Sequence, residues 1–270
     1  MRIFTLLMLA LLHALPVRAQ DRDLAVEVDL ELFLAVDVSR SMNPVELDIQ
    51  RRGYAAALTS PDVVKAIQGG MLGRVALTYV EWAGDRSQRV IVPWTMVRNA
   101  EEAAAVANRI ETFYDGSLRR TSISGALDYA VQDFEENEFQ GLRRVIDISG
   151  DGPNNQGRAV LDARADALRQ RITINGLPLM TEDALSSIWG IPDLDAYYRN
   201  CVIGGPGAFL IPVESWAQFP AAVRRKLILE IADRMPRAAP QVIKAQAQPP
   251  YNCLVGEELW ERNRTYYLEP

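Results

Sequence analysis

Residues 28–41 read VDLELFLAVDVSRS, and the fold turns on this stretch. Its first nine residues, VDLELFLAV, begin in alternation and end as an apolar run, the pattern of a strand entering a sheet buried on both faces. After the polar residues 37–43, Pro44 suits the first turn of a helix reaching about residue 59. Outward from this unit the pattern continues. Ser60-Pro61-Asp62 restarts a short helix that ends at Gly69-Gly70. Two β-rich runs, 74–82 and 88–94, are joined by Ala83-Gly84-Asp85 in a short hairpin-like connection. Helices are predicted over 99–112, 121–136, 157–170, near 193–200 and over 215–234, and strands over 143–149, 171–177 and 207–213. The alternation predicts an α/β fold: a doubly wound, mainly parallel sheet with helices on both faces and one antiparallel edge strand.

The first residues read differently. An apolar run over 3–15 follows Arg2, and Val17-Arg18-Ala19 supplies the small residues of a cleavage site, so residues 1–19 are expected to be a signal peptide. The run is short for a bilayer span, which takes about 20 residues, and no later segment approaches that length. Residues 20–235 are expected to form one domain and 236–270 a tail packed on it. The product is expected in the periplasm or secreted, with no membrane span in the mature chain.

Removing the leader takes away His13, the one histidine of the 270 residues. Ser-His-Asp and Cys-His nucleophilic machinery, His-ligated zinc and imidazole acid–base chemistry then have no residue to run on. A net charge of −6 with 49% hydrophobic residues describes a globular domain and argues against nucleic acid as a partner. Cys201 and Cys253 are the only cysteines. An exported compartment favours a disulfide between them, two buried free thiols being the other reading.

Ligands of doubly wound sheets sit outside the carboxyl ends of the strands. The first strand ends in Asp37-Val38-Ser39-Arg40-Ser41, a carboxylate and two hydroxyls at alternate positions, which suits Mg²⁺ or a similar hard cation. The same residues also make ordinary turns and helix caps. Thr121, ahead of the 121–136 helix, offers another hydroxyl or an N-cap. Asp151 follows the 143–149 strand in a Gly-rich turn. Such a set leaves room in the coordination shell for water or a partner's carboxylate.

With these three segments in this order, residues 28–234 resemble the von Willebrand factor A-type (vWA) domain. The likeness rests on the hydrophobic strand leading to DVSRS, the threonine of TSISGAL and the strand-plus-turn VIDISGDG. It is nearest to a group of exported bacterial proteins of unknown function that share the form VSGDG-x-NN-x-G, here ISGDGPNNQG. The resemblance implies an adhesion-type metal site. Asp37, Ser39, Ser41, Thr121 and Asp151 would hold Mg²⁺, or Mn²⁺ or Ca²⁺, and bind through it an Asp or Glu of a protein partner. Three departures stand out. Arg119 and Arg120 occupy positions where the family often has glycine, Gly150 replaces a frequent hydroxyl residue, and Asp147 puts a carboxylate inside an apolar strand. Asp147 reads either as a support of the site, as a partner for an arginine, or as one half of a structural ion pair, and not as a ligand.

Two other functions share some of these features. A haloacid-dehalogenase-like phosphatase would use Asp37 as nucleophile, Thr121 or Ser122 as phosphate hydroxyl and Asp151 for magnesium. Ser39, however, stands where that family has its acid, and no lysine lies between Thr121 and Asp151. An exported solute-binding protein would line a pocket with Trp82, Trp94, Trp189, Trp216 and Trp260, yet aromatics at such spacings are more often core.

Overall fold

The structure, a computed structural model, describes residues 25–112, 116–181, 190–233 and 251–263. The expected leader, Trp189 and the rest of the tail lie outside the described residues. The strands are β1 (Val26–Val28), β2 (Leu30–Asp37), β3 (Val75–Trp82), β4 (Gln88–Val97), β5 (Phe139–Gly141), β6 (Arg144–Gly150) and β7 (Ile172–Pro178). The helices are α1 (Pro44–Leu58), α2 (Pro61–Gln68), α3 (Ala100–Thr112), α4 (Ile123–Glu136), α5 (Val160–Arg169), α6 (Leu194–Tyr197), α7 (Phe219–Ile231) and α8 (Val255–Asn263). A π-helical turn, Tyr198–Val202, continues α6.

Five strands form one sheet in the order β4-β3-β2-β6-β7. The β2–β3, β2–β6 and β6–β7 pairs are parallel, and β4 is the antiparallel edge. Pro93 sits on that edge strand, where a missing N–H is tolerated. Side chains of β2 alternate between two cores. Leu30, Leu32, Leu34 and Val36 pack with residues of α1, α2, α3 and α7, whereas Phe33 and Ala35 pack with α4, α5 and the α6 region. Burial on both faces is why this strand reads as a nearly continuous apolar run.

The sequence also sets the helix starts. Asn43 accepts from the Val45 and Glu46 N–H groups, and Glu46 Oε2 accepts from Asn43 N–H, a complete capping box ahead of Pro44. Ser122 caps α4, its hydroxyl accepting from Gly125 N–H at 3.0 Å.

One local expectation is corrected, and one feature is new. Residues 207–213 do not form a strand. They run beside β7 through isolated bridges, Gly176 with Leu210 and Leu179 with Val213, because Pro212 has no N–H to offer and Gly207 has φ 71°. The β1–β5 pair forms a second, two-stranded parallel sheet. Three residues per strand are too few to carry a periodic signal.

Strand order reverses at β2. The chain leaves it through α1 and α2 to β3 on one side, while β6 pairs with it on the other. Val36 pairs with Ser149, so the carboxyl ends of β2 and β6 lie side by side at this switch point.

Candidate metal centre

Asp37 is the last residue of β2 and is 0% exposed. Its Oδ1 accepts from the Ser39 N–H at 2.6 Å, which turns the chain back over the strand end. The Ser39 and Ser41 hydroxyls lie 2.9 Å apart, and Ser41 Oγ donates to Asp151 Oδ1 at 2.8 Å. Asp151, one residue beyond β6, thereby joins the first loop. Four of the five expected residues form one continuous polar chain.

The fifth, Thr121, is buried on the adjoining loop. Its N–H donates to Asn155 Oδ1 at 3.0 Å and its carbonyl accepts from Asn155 N–H at 2.8 Å. A β-carbon on Gly152 would lie 4.0 Å from Thr121 Oγ1, so the hydroxyl borders the Asp151 turn. Ser122 is the residue that caps α4, and Thr121 is therefore not spent as the cap. Further backbone bonds fix the loops together. Leu118 N–H donates to Val38 O at 2.8 Å, and Ser122 N–H to Ala83 O at 2.7 Å.

Buried carboxylate oxygens without a hydrogen-bond or ion-pair partner occur at Asp37, Glu230 and Glu257 among the described residues, and the one at Asp37 faces the candidate centre. Glu31 and Glu81 are also fully buried on β2 and β3, but each has partners for both oxygens. Gly141 N–H and Asn137 Nδ2 serve Glu31, while Arg51 and Arg89 serve Glu81. Asp37 Oδ2 is buried with no hydrogen-bond partner. Burial pushes the Asp37 carboxyl well above the usual range, the charge of Asp151 pushes it further, and hydrogen bonds from Ser39 and from the Asp151 backbone oppose both. Burial first, and then Asp37 and Asp151, raise the Tyr198 phenol as well. Two neighbouring carboxylates, one with an unserved oxygen, fit a divalent cation, and three hydroxyls complete a hard-oxygen donor set. Among the described residues no three His, Cys, Asp or Glu side chains cluster.

Gly150 is required by this packing. A β-carbon there would fall 2.9 Å from both Asp37 Oδ2 and the Tyr198 hydroxyl. Asp147 does not join the centre: it is buried against Lys226 Nζ at 2.6 Å, a lysine partner and not an arginine. Lys226 also pairs with Glu230 at 2.5 Å and is fully buried, so it cannot neutralise a phosphate at Asp37. Three of the described tryptophans are engaged elsewhere. Trp82 is core, Trp94 donates to Asp133 and Trp216 to Glu46. The cavity of about 470 Å³ near the start of β6 and the end of α7 is lined by no tryptophan.

Sequence reasoning missed several supports. Gln50 Nε2 donates to Asp37 O at 2.9 Å, and Tyr198 OH lies 3.5 Å from Gly150 O. Asn154 accepts from Ser124 N–H at 2.9 Å and donates to Glu257 on α8 at 2.7 Å. The Asn154-Asn155 pair was visible in ISGDGPNNQG, but only the fold shows that it ties Thr121 and α8 together. Cys201 and Cys253 form a disulfide, Cα–Cα 5.6 Å, which holds α8 against the domain. Among the described residues no helix is long and apolar enough to cross a membrane.

Solved structures with this architecture include the proximal thread matrix protein 1 of the mussel byssus with a zinc-occupied MIDAS motif. It is 14% identical, with 75% of this chain and 46% of that chain covered and a TM-score of 0.50. A von Willebrand factor type A structure from Catenulispora acidiphila is 12% identical, covering 76% and 43%, with a TM-score of 0.54. The pilus adhesin SpaC of Lactobacillus rhamnosus GG is 12% identical, covering 76% and 30%, with a TM-score of 0.56. This chain spans less than half the length of each, and at such identities the likeness establishes the vWA-like fold alone. None of the curated proteins matches the sequence significantly. A family model described as "Protein of unknown function (DUF1194)" matches residues 27–235.

Proposed function

The chain belongs to the DUF1194 family, and from that premise we propose that it is an exported, vWA-like protein-binding module whose contact with its partner depends on a divalent cation. The observation that carries this reading is Asp37 Oδ2, buried and unpartnered beside the carboxylate of Asp151. Asp37, Ser39, Ser41, Thr121 and Asp151 would hold the ion, with Mg²⁺ the first choice and Mn²⁺ or Ca²⁺ the other candidates. When bound, such an ion offers a coordination position to an Asp or Glu carboxylate. The mussel structure with zinc in its MIDAS motif supports divalent binding within this fold, and the pilus adhesin supports a role in contact between proteins.

The protein's own residues do the remaining work. The Ser39 N–H and the Ser39–Ser41 hydroxyl pair orient the first loop, and Asn155 fixes the backbone of Thr121. Export with a leader at 1–19, a domain over 20–235 and a tail over 236–270 belongs to the same proposal, supported by the Cys201–Cys253 disulfide. The experiment is capture of partners from the exported fraction with native protein and Asp151→Ala. A partner retained with Mg²⁺, released by EDTA and absent from Asp151→Ala is the expected result. Retention unaffected by EDTA and by the substitution would overturn it.

A further inference from the structure

Arg120, immediately before Thr121, has φ 77°. That left-handed conformation is natural for glycine and penalised for any residue with a β-carbon. A contact reaches this residue from α8, where the Trp260 ring centroid lies 3.2 Å from the Arg120 guanidinium carbon. The position of α8 is itself held at three points. The disulfide to Cys201 anchors its approach, and Glu257 accepts from Asn154 Nδ2 at 2.7 Å. At Gly256 a β-carbon would collide with the Asn154 carbonyl oxygen. This helix lies beyond the 27–235 stretch that matches the family.

Both sides of the metal centre are therefore touched by one added helix, at Arg120 ahead of Thr121 and at Asn154 after Asp151. We propose that Trp260 is a positioning residue of this centre: by stacking on Arg120 it sustains the left-handed turn that presents Thr121. This rests on the metal-centre reading above. Glycine at position 120 would hold the turn without the stack, so it would make Trp260 dispensable.

The test is calorimetric Mg²⁺ titration of the oxidised protein, with hydrogen exchange of residues 118–124 recorded in EDTA. Trp260→Ala is expected to weaken Mg²⁺ binding about fivefold, the scale of one cation–π contact, and to speed exchange in that loop. Arg120→Gly and the double variant Arg120→Gly/Trp260→Ala are both expected to bind within about twofold of native. Should Trp260→Ala not fold, Arg120→Ala supplies the same comparison, since it loses the stack but keeps the strain and must bind more weakly than Arg120→Gly. Native affinity in Trp260→Ala, or a double variant as weak as Trp260→Ala, overturns the positioning role while leaving the metal centre standing. A native protein that binds no better than Asp37→Ala overturns both.

Discussion

Ser41 donates its hydroxyl hydrogen to Asp151 across 2.8 Å, although 110 positions separate the two residues. The bond joins the turns after β2 and β6, the two strands that flank the switch point of the sheet. It also leaves Asp37, behind them, as a buried carboxylate with one oxygen unserved. Such an arrangement is unfavourable for the metal-free fold and suited to a bound cation.

Asp37→Asn is therefore expected to stabilise the metal-free protein. The amide keeps the oxygen that accepts from Ser39 N–H and removes the charge that burial and Asp151 both disfavour. A gain on the order of 1–2 kcal/mol is expected from urea unfolding in EDTA. The same variant should gain nothing from added Mg²⁺. A loss of stability in EDTA would argue that Asp37 is already satisfied without an ion.

Lys226 is the cation between two buried acids, Asp147 at 2.6 Å and Glu230 at 2.5 Å. Lys226→Met would leave those acids facing each other across the β6–α7 contact. The expected loss is about 3–5 kcal/mol in chemical denaturation. A change below about 1 kcal/mol would mean that solvent already reaches the pair.

The same cluster gives a pH dependence. Glu230 is raised from 4.5 to about 7 by burial first and by Asp147 next, against the opposing pull of Lys226 and of Asn175 Nδ2. Tyr54 also faces the group, and Arg143 donates to the Glu230 backbone carbonyl. Because the folded value lies above the unfolded one, this group's contribution is fully present below about pH 4.5 and is lost as pH rises through about 7. Native protein should therefore lose more stability between pH 5 and 7.5 than Glu230→Gln does. Parallel curves for the two proteins would remove Glu230 as the cause.

Reduction should loosen the tail. The Cys201–Cys253 bond spans 52 residues, and closing a loop of that size stabilises a fold by about 4 kcal/mol in the chain-entropy model. Dithiothreitol is expected to lower the melting temperature, and Cys201→Ser/Cys253→Ser should melt at that lower value whether or not reductant is present. A melting temperature indifferent to both would mean that contacts other than the disulfide, such as Glu257 with Asn154, hold α8.

Much of this was legible in the sequence because it is local. The apolar run of β2, the alternate oxygens of DVSRS and the capping box at Asn43 are all written within a few residues. Joining Thr121 and Asp151 to them rested on their places at strand-to-helix and loop-to-helix transitions, where ligands of such sheets collect, and on the resemblance to vWA domains. Trp260 could not be tied to Arg120, nor Lys226 to Asp147, because each partner is placed by tertiary packing. The 207–213 stretch misled because its apolar composition suits a strand, while Pro212 limits the ladder to isolated bridges.

The most direct measurement is a calorimetric titration of Mg²⁺ into chelator-stripped native protein beside Asp37→Ala and Asp151→Ala, each checked for native circular dichroism. A metal centre built on these residues requires one saturable site in the native protein and none in either variant. Absence of binding to the native protein, or equal affinity in all three, would contradict it.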